Sequence, residues 1–245
     1  MSKNTFGFIN PRLQMLYDLM PQCNRLGDVG TDHGFLPIYC VQTGKCKTAV
    51  ASDLRPQPLE IAKKNIRLKR CEAQIETLLC PGLEGYRERE CDVIAIAGMG
   101  GYTICNILSE WLEACRRDDY FPGNILFLLQ PNTAEPELRK FLWDHAFQIE
   151  AESAARDGAH VYLGIKGRFG GNRESYLETE CYTGKIMCRR LTENDRIYYE
   201  SLLQKYANMR KGLLEKRMQD ETCMRKIDLC RKIIERVNGI LDRSC

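Results

Sequence analysis

Apolar positions along the chain switch repeatedly between two periods. Residues 11–20 place Leu13, Leu16, Tyr17 and Met20 three or four apart, which predicts an amphipathic helix. Leu26 to Val29 then reads as the end of a buried strand. Phe35 to Val41 reads as a helix that stops at Gly44, with Pro37 in its first turn, where the missing N–H is not needed. Thr48 to Asp53 forms a short strand ending in an acid, and Pro56, Pro58, Leu59, Ile61, Ala62, Ile66 and Leu68 mark the next helix. Further strands are expected at Ala73 to Leu79, Asp92 to Ala97 and Ile125 to Leu129, with helices at 102–115 and Glu135 to His145. Phe147 to Ala151 and His160 to Lys166 close the series as two strands with no helix between them. This order predicts an α/β fold: a largely parallel sheet with one antiparallel strand and helices on both faces.

The period changes beyond Gly167, Gly170 and Gly171. Tyr199, Leu202, Tyr206, Met209 and Leu213 step by three and four, as do Cys223, Ile227, Cys230, Ile234, Val237 and Leu241. Two such seams around the polar stretch 215–221 predict a C-terminal α-helical hairpin of antiparallel coiled-coil type. The expected division is an α/β domain over 1–170 and a helical hairpin domain over 171–245.

Sheets of this kind bind ligands beyond the carboxyl ends of their strands. Asp28, Asp53, Gly82, Gly98 to Gly101 and Gln130 to Asn132 all fall at predicted strand ends, so five separate stretches converge on one edge. The turn from Gly30 to Gly34 joins a strand to a helix N-terminus, whose free N–H groups and dipole favour a negative group. Its spacing is Asp-x-Gly-x-x-x-Gly, not the Gly-x-Gly-x-x-Gly of dinucleotide binders, which counts against a nicotinamide oxidoreductase. Asp53 lies 23 positions after Gly30 and is placed to bind both ribose hydroxyls of a nucleotide-like ligand. The same position suits a cap on the following helix, and the two roles can coexist. Gly98-Met99-Gly100-Gly101, at the mouth of a central strand, implies close approach of backbone and ligand.

Composition narrows the class. A chain of 245 residues holds one sizeable α/β domain with a smaller appendage, and 44% hydrophobic with 28% charged residues is ordinary for a globular protein. No apolar run approaches a membrane span and the N-terminal stretch lacks the apolar core of a secretory signal, so the expected location is cytoplasmic. None of the 13 cysteines sits in a C-x-x-C pair; reduced thiols acting as small apolar residues are expected, with neither a metal site nor a catalytic thiol. Of the net charge of +3, the excess lies in residues 173–245, with 16 basic against 12 acidic residues. This mildly favours a polyanionic partner.

Asp28-Val-Gly30-Thr-Asp32-His33-Gly34-Phe-Leu-Pro37 resembles motif I of the Rossmann-like methyltransferases. With Ile96-Ala-Gly98-Met99-Gly100-Gly101, Leu129-Gln130-Pro131-Asn132, Asp157-Gly158 and Arg12-Leu13, the whole chain resembles the bacterial tRNA adenine-22 N1-methyltransferases. The resemblance implies a class I Rossmann-like methyltransferase fold, S-adenosylmethionine as cofactor, and tRNA as partner and methyl acceptor. Asp28, Gly30, Asp32 and His33 would lie at the methionine end, with Arg12 on its carboxylate and Asp53 with Leu54 at the ribose. Gly82-Leu83 and Ala97-Gly98-Met99 would lie along the adenine moiety and the methyl-bearing face. Asp32, His33 and Asn132 are the candidate catalytic residues, contacting the target base; a lone His such as His33 is more often a hydrogen-bonded structural residue than a proton carrier. Arg189, Arg190, Arg210, Lys211, Lys216 and Arg217 are candidate phosphate contacts. A monomer is expected, with a homodimer as the alternative. An inactive cofactor-binding RNA-interaction protein and a methyltransferase with another acceptor stay open. Two departures stand out: Cys80-Pro81-Gly82-Leu83 replaces the Gly-Asp-Gly-Leu the resemblance leads one to expect, and Val161-Tyr162 replaces a Tyr-Glu pair.

Overall fold

The computed structural model describes residues 9–119, 125–215 and 220–243. Its elements are α1 (Pro11–Leu19), β1 (Cys23–Val29), α2 (Phe35–Gln42), β2 (Cys46–Asp53), α3 (Pro56–Leu68), β3 (Ile75–Leu79), β4 (Val93–Gly100), α4 (Gly101–Arg117), β5 (Leu126–Thr133), α5 (Glu135–Asp144), β6 (Phe147–Asp157), β7 (His160–Phe169), α6 (Glu178–Thr183), α7 (Glu193–Leu214) and α8 (Glu221–Asp242). Seven strands form one sheet in the order β3-β2-β1-β4-β5-β7-β6. β1 to β5 run parallel, and β7 is antiparallel to both of its neighbours. It is the single reversed strand that the two consecutive strands predict. The chain winds outward from β1 to β3, returns, and winds the other way from β4, so the order reverses between β1 and β4. Such a switch point opens a crevice at the carboxyl ends of the strands.

Alternation along the strands sorts the core into two layers. Val93 and Ala95 of β4 pack with Leu16 of α1 and Met20 just after it, Leu36 and Ile38 of α2, and Ile66 of α3. Ile94 and Ile96, on the opposite face, join a layer that includes Leu108 of α4, Leu142 of α5, Tyr199 of α7 and Val237 of α8. Most of the described cysteines are buried thiols, as their use as small apolar residues requires.

Two details differ from the sequence pattern. β5 does not stop at Leu129 but runs on through Gln130-Pro131-Asn132 beside β4, with register shifts around Met99. Pro131 is tolerated there because pairing with β7 has already ended at Leu129, so its missing N–H breaks no ladder. In the hairpin, Ile233 and Ile240 are fully covered where the seam pointed to Ile234 and Leu241, and Met209 is exposed. A straight helix drifts away from a strict seven-residue repeat, and the hairpin also packs on α5, α6 and the sheet, which draws a second face inward.

The hairpin is tied to the sheet by polar groups as well. The Arg139 side chain of α5, fully buried, donates from Nε to Glu152 Oε1 of β6 at 2.6 Å and from Nη1 to the carbonyls of Cys181 and Tyr182. Tyr199 of α7 donates to the Thr183 carbonyl, and Arg236 of α8 reaches Thr183 Oγ1 and Glu180. Asp195 caps α7 by accepting from the Thr192 N–H, while its other oxygen accepts from Ala154 N of β6.

Candidate active site

A cavity of about 570 Å³ lies where β1, β2 and β4 end. Its first wall is the turn after β1. Gly30 holds φ at +71°, a conformation that side chains avoid, and a Cβ there would lie 2.2 Å from Cε of Met99. Thr31 N donates to the Ser52 carbonyl at 2.8 Å, which ties this turn to β2. The Asp28 side chain turns inward and accepts from Thr31 Oγ1 at 2.6 Å. Burial pushes its carboxyl up to about 6; the Thr31 hydrogen bond and the charge of Arg12 pull the other way without prevailing.

Asp53, the last residue of β2, is buried at 7% exposure yet lines the cavity. Its Oδ1 accepts from Arg55 N at 2.9 Å, the local turn that begins α3. Asp53 does not cap α3, whose N-cap is Arg55 with no side-chain cap bond; Oδ2 has no partner among the described residues, so this turn leaves one oxygen for a ligand. Next to it Leu54 is 67% exposed, an apolar surface at the cavity wall.

Gln130 organises the third wall. Fully buried, it accepts at Oε1 from Arg12 Nη1 (2.8 Å) and Gly98 N (3.1 Å), and donates from Nε2 to Pro131 O and Asn132 Oδ1. Asn132 Nδ2 in turn donates to the Gly98 carbonyl at 2.8 Å. One amide thus fixes the guanidinium that faces the cavity, the backbone of the glycine turn and the orientation of Asn132. Gly98, at φ +76°, passes so close to Arg12 that a Cβ would lie 2.8 Å from Nη1 and displace it from Gln130. The Arg12 guanidinium also sits over the Tyr162 ring, one of the two departures noted above.

The cavity brings together Arg12, Gly30, Asp32, Asp53, Leu54, Gly82, Ala97, Gly98 and Met99. A smaller recess of about 70 Å³ adjoins it at Arg12, Gly30, Asp32 and Ala97 and adds Asp28 and His33. Asp32 Oδ2 lies 2.7 Å from His33 Nδ1, so the ring donates from Nδ1 to the carboxylate. Asn132 is exposed at the rim and not in the cavity wall. Leu83 is buried and lines an adjoining cavity of about 320 Å³, while the cleft itself receives Cys80, Pro81 and Gly82. Sequence reasoning missed Arg55 and the face of α4 made by Thr103, Asn106, Ile107 and Glu110. A signal was present: three polar residues at helical spacing immediately after the glycine turn. Burial pushes the Cys80 thiol up, away from the thiolate form.

A family model described as a methyltransferase domain matches residues 9–165. The tRNA (adenine(22)-N(1))-methyltransferase of Bacillus subtilis (strain 168) is 29% identical over 168 residues, 69% of this chain and 68% of its own length. Among solved structures, M. capricolum TrmK in complex with S-adenosyl-homocysteine is similar at TM-score 0.79 and 28% identity, covering 95% of this chain and 99% of that one. Streptococcus pneumoniae Sp1610 in complex with S-adenosyl-L-methionine is similar at TM-score 0.77 and 28% identity, covering 93% and all of that chain. The matched span runs from just before α1 into β7 and so contains every strand that ends at the cleft; the chain belongs to the methyltransferase-domain family.

Proposed function

We propose that this protein is an S-adenosylmethionine-dependent tRNA methyltransferase that modifies N1 of adenine 22, in the D-loop region. The observation that carries the reading is a single cleft at the carboxyl ends of β1, β2 and β4 with a fixed cation, Arg12, and a half-used buried carboxylate, Asp53. Those groups fit the cofactor. Arg12 suits its carboxylate, the free oxygen of Asp53 suits the ribose hydroxyls, and the glycine turns let backbone approach the chain between them. The Bacillus subtilis relative named for adenine 22 supports the choice of acceptor.

S-adenosylmethionine supplies an electrophilic methyl on a sulfonium, so the protein's main task is to align the adenine N1 lone pair with it. Gln130 locks Asn132 at the rim, where its amide can hold the base edge beside Gly98. N1-alkylation leaves a positive ring, and the Asp32 carboxylate, which lines both the cleft and the recess that holds His33, is placed to stabilise it. The target base must leave its stack to reach them. Exposed Arg189, Arg190 and Lys211 and half-buried Arg210 are the phosphate contacts of this reading. Lys216 and Arg217 lie outside the described residues. No helix of the described residues is long and apolar enough to cross a membrane, and the enzyme works as a cytoplasmic monomer in this reading.

The test is transfer of labelled methyl from S-adenosylmethionine to bulk tRNA lacking the modification, followed by nucleoside analysis. The expected product is 1-methyladenosine. Label in another nucleoside, or none in RNA, overturns the acceptor assignment.

A further inference from the structure

The cleft has two unlike ends. At the Arg12 end, charge and the Gln130 network dominate. At the other, beyond Asp53, the strand side presents Leu54, Cys80, Pro81 and Gly82. Pro81 has neither an N–H nor a polar side chain, and a thiol is a weak hydrogen-bonding group. A strong side-chain acceptor there therefore comes from the helix opposite. Thr103, Asn106, Ile107 and Glu110 of α4 face the cleft along one stripe, and Ile107 lies against Gly82, where a Cβ would be 3.3 Å from its Cγ2. Neither the Asn106 amide nor the Glu110 carboxylate has a hydrogen-bond or ion partner among the described residues. Glu110 also stands where the cleft meets an adjoining cavity of about 320 Å³, beside Pro81 and Ile107.

We propose that Glu110 reads the purine of the cofactor, its carboxylate accepting from the exocyclic amino group of adenine while Leu54, Pro81 and Ile107 supply the apolar surface for the ring. The assignment rests on the reading of the cleft as an S-adenosylmethionine site. The chemistry is selective: a carboxylate attracts a 6-amino group and repels a 6-oxo group, so adenosyl ligands are favoured over inosyl ones. Glu110 thus provides from a helix the acceptor that Pro81 cannot provide from the strand end. Its role is specificity for the cofactor, not chemistry on the methyl group.

Calorimetric titration with S-adenosylhomocysteine and with S-inosylhomocysteine tests this on the full chain and on Glu110→Ala, Glu110→Gln and Glu84→Ala. Glu84 is the control, because it lines the adjoining cavity but not the cleft. The unsubstituted protein is expected to prefer the adenosyl ligand. Glu110→Ala should weaken that ligand by about tenfold and leave the inosyl ligand nearly unchanged. Glu110→Gln, whose amide can donate to a 6-oxo group, should bring the two affinities together, and Glu84→Ala should keep the preference. Glu110 is exposed, so thermal melting of its variants should match the parent. Retention of the preference in Glu110→Ala, its loss in Glu84→Ala, or no preference in the parent overturns the inference alone. Failure of the parent to bind either ligand overturns the cofactor reading and the inference with it.

Discussion

The cleft and the anchor beneath the hairpin are both buried and polar, yet they are built in opposite ways. At the anchor, Arg139 and Glu152 have fully buried side chains that face each other and carbonyls and amides of α6 and its flanks, with only Nη2 of Arg139 left without a hydrogen-bond partner among these groups. Burial tends to strip the proton from Arg139, but the Glu152 carboxylate overrides it and holds the guanidinium firmly charged. At the cleft, Asp53 commits one oxygen to its own turn and leaves the other free, and Asp28 is buried with a single hydroxyl donor. A polar cluster whose charges pair with each other fixes where elements sit. One that leaves acceptors facing a cavity is arranged for something to arrive. The glycine turns agree with this division, since Gly30 and Gly98 keep side chains out of the cleft.

The contrast can be broken most forcefully at the anchor. Arg139→Ala strands the Glu152 charge in the core and should lower unfolding free energy in urea by about 3–5 kcal/mol, whereas the paired replacement Arg139→Met with Glu152→Leu should recover most of it. A single variant as stable as the parent would show that the anchor does not hold the hairpin. Next comes Asp28. Its folded carboxyl, raised to about 6, lies above its unfolded value, so the folded state binds the proton more tightly. The Asp28 contribution to stability should therefore be fully present below about pH 4, fall as pH rises to about 6, and drop by about 2–3 kcal/mol in all. Asp28→Asn should remove that slope, and a slope unchanged in the variant would reassign it to other groups.

Asp53→Ala sharpens the distinction from the other side. It should weaken S-adenosylhomocysteine by about tenfold to a hundredfold in calorimetry while melting stays near that of the parent. Equal affinity would remove Asp53 from the ligand. The smallest effect is expected on the hairpin surface. Arg210→Glu with Lys211→Glu should weaken tRNA several-fold in gel shifts, with cofactor affinity unchanged. The salt slope should fall by about one for each phosphate that is no longer neutralised. Unaltered tRNA affinity would take these two residues out of the RNA interface.

How much of this the sequence carried follows from the range of each interaction. The strands and the converging edge are local signals: alternation over a few residues, or a glycine turn after an apolar run, needs no knowledge of the fold. Gly30, Asp53 and Gly98 were legible for that reason. The extension of β5 was hidden by Pro131, whose tolerance depends on where β7 stops pairing. The hairpin seam slipped to Ile233 and Ile240 because those helices answer to the sheet as well as to each other. The anchor was invisible: Arg139 meets partners 13 and 42 residues away, and nothing near it in the chain marks it as buried. Leu83 faces the adjoining cavity and not the cleft, a one-residue distinction from Gly82 that local pattern does not resolve. Glu110 lay between these cases, on a readable stripe whose direction depended on how α4 packs.

The most direct measurement is methylation of a tRNA transcript carrying adenine 22 alongside one in which that adenine is replaced by guanine, read by arrest of reverse transcription. The account predicts cofactor-dependent arrest at position 22 in the first transcript, none in the second, and sharply reduced arrest with Asp53→Ala. Methylation of both transcripts alike, or of neither despite cofactor binding, would contradict it.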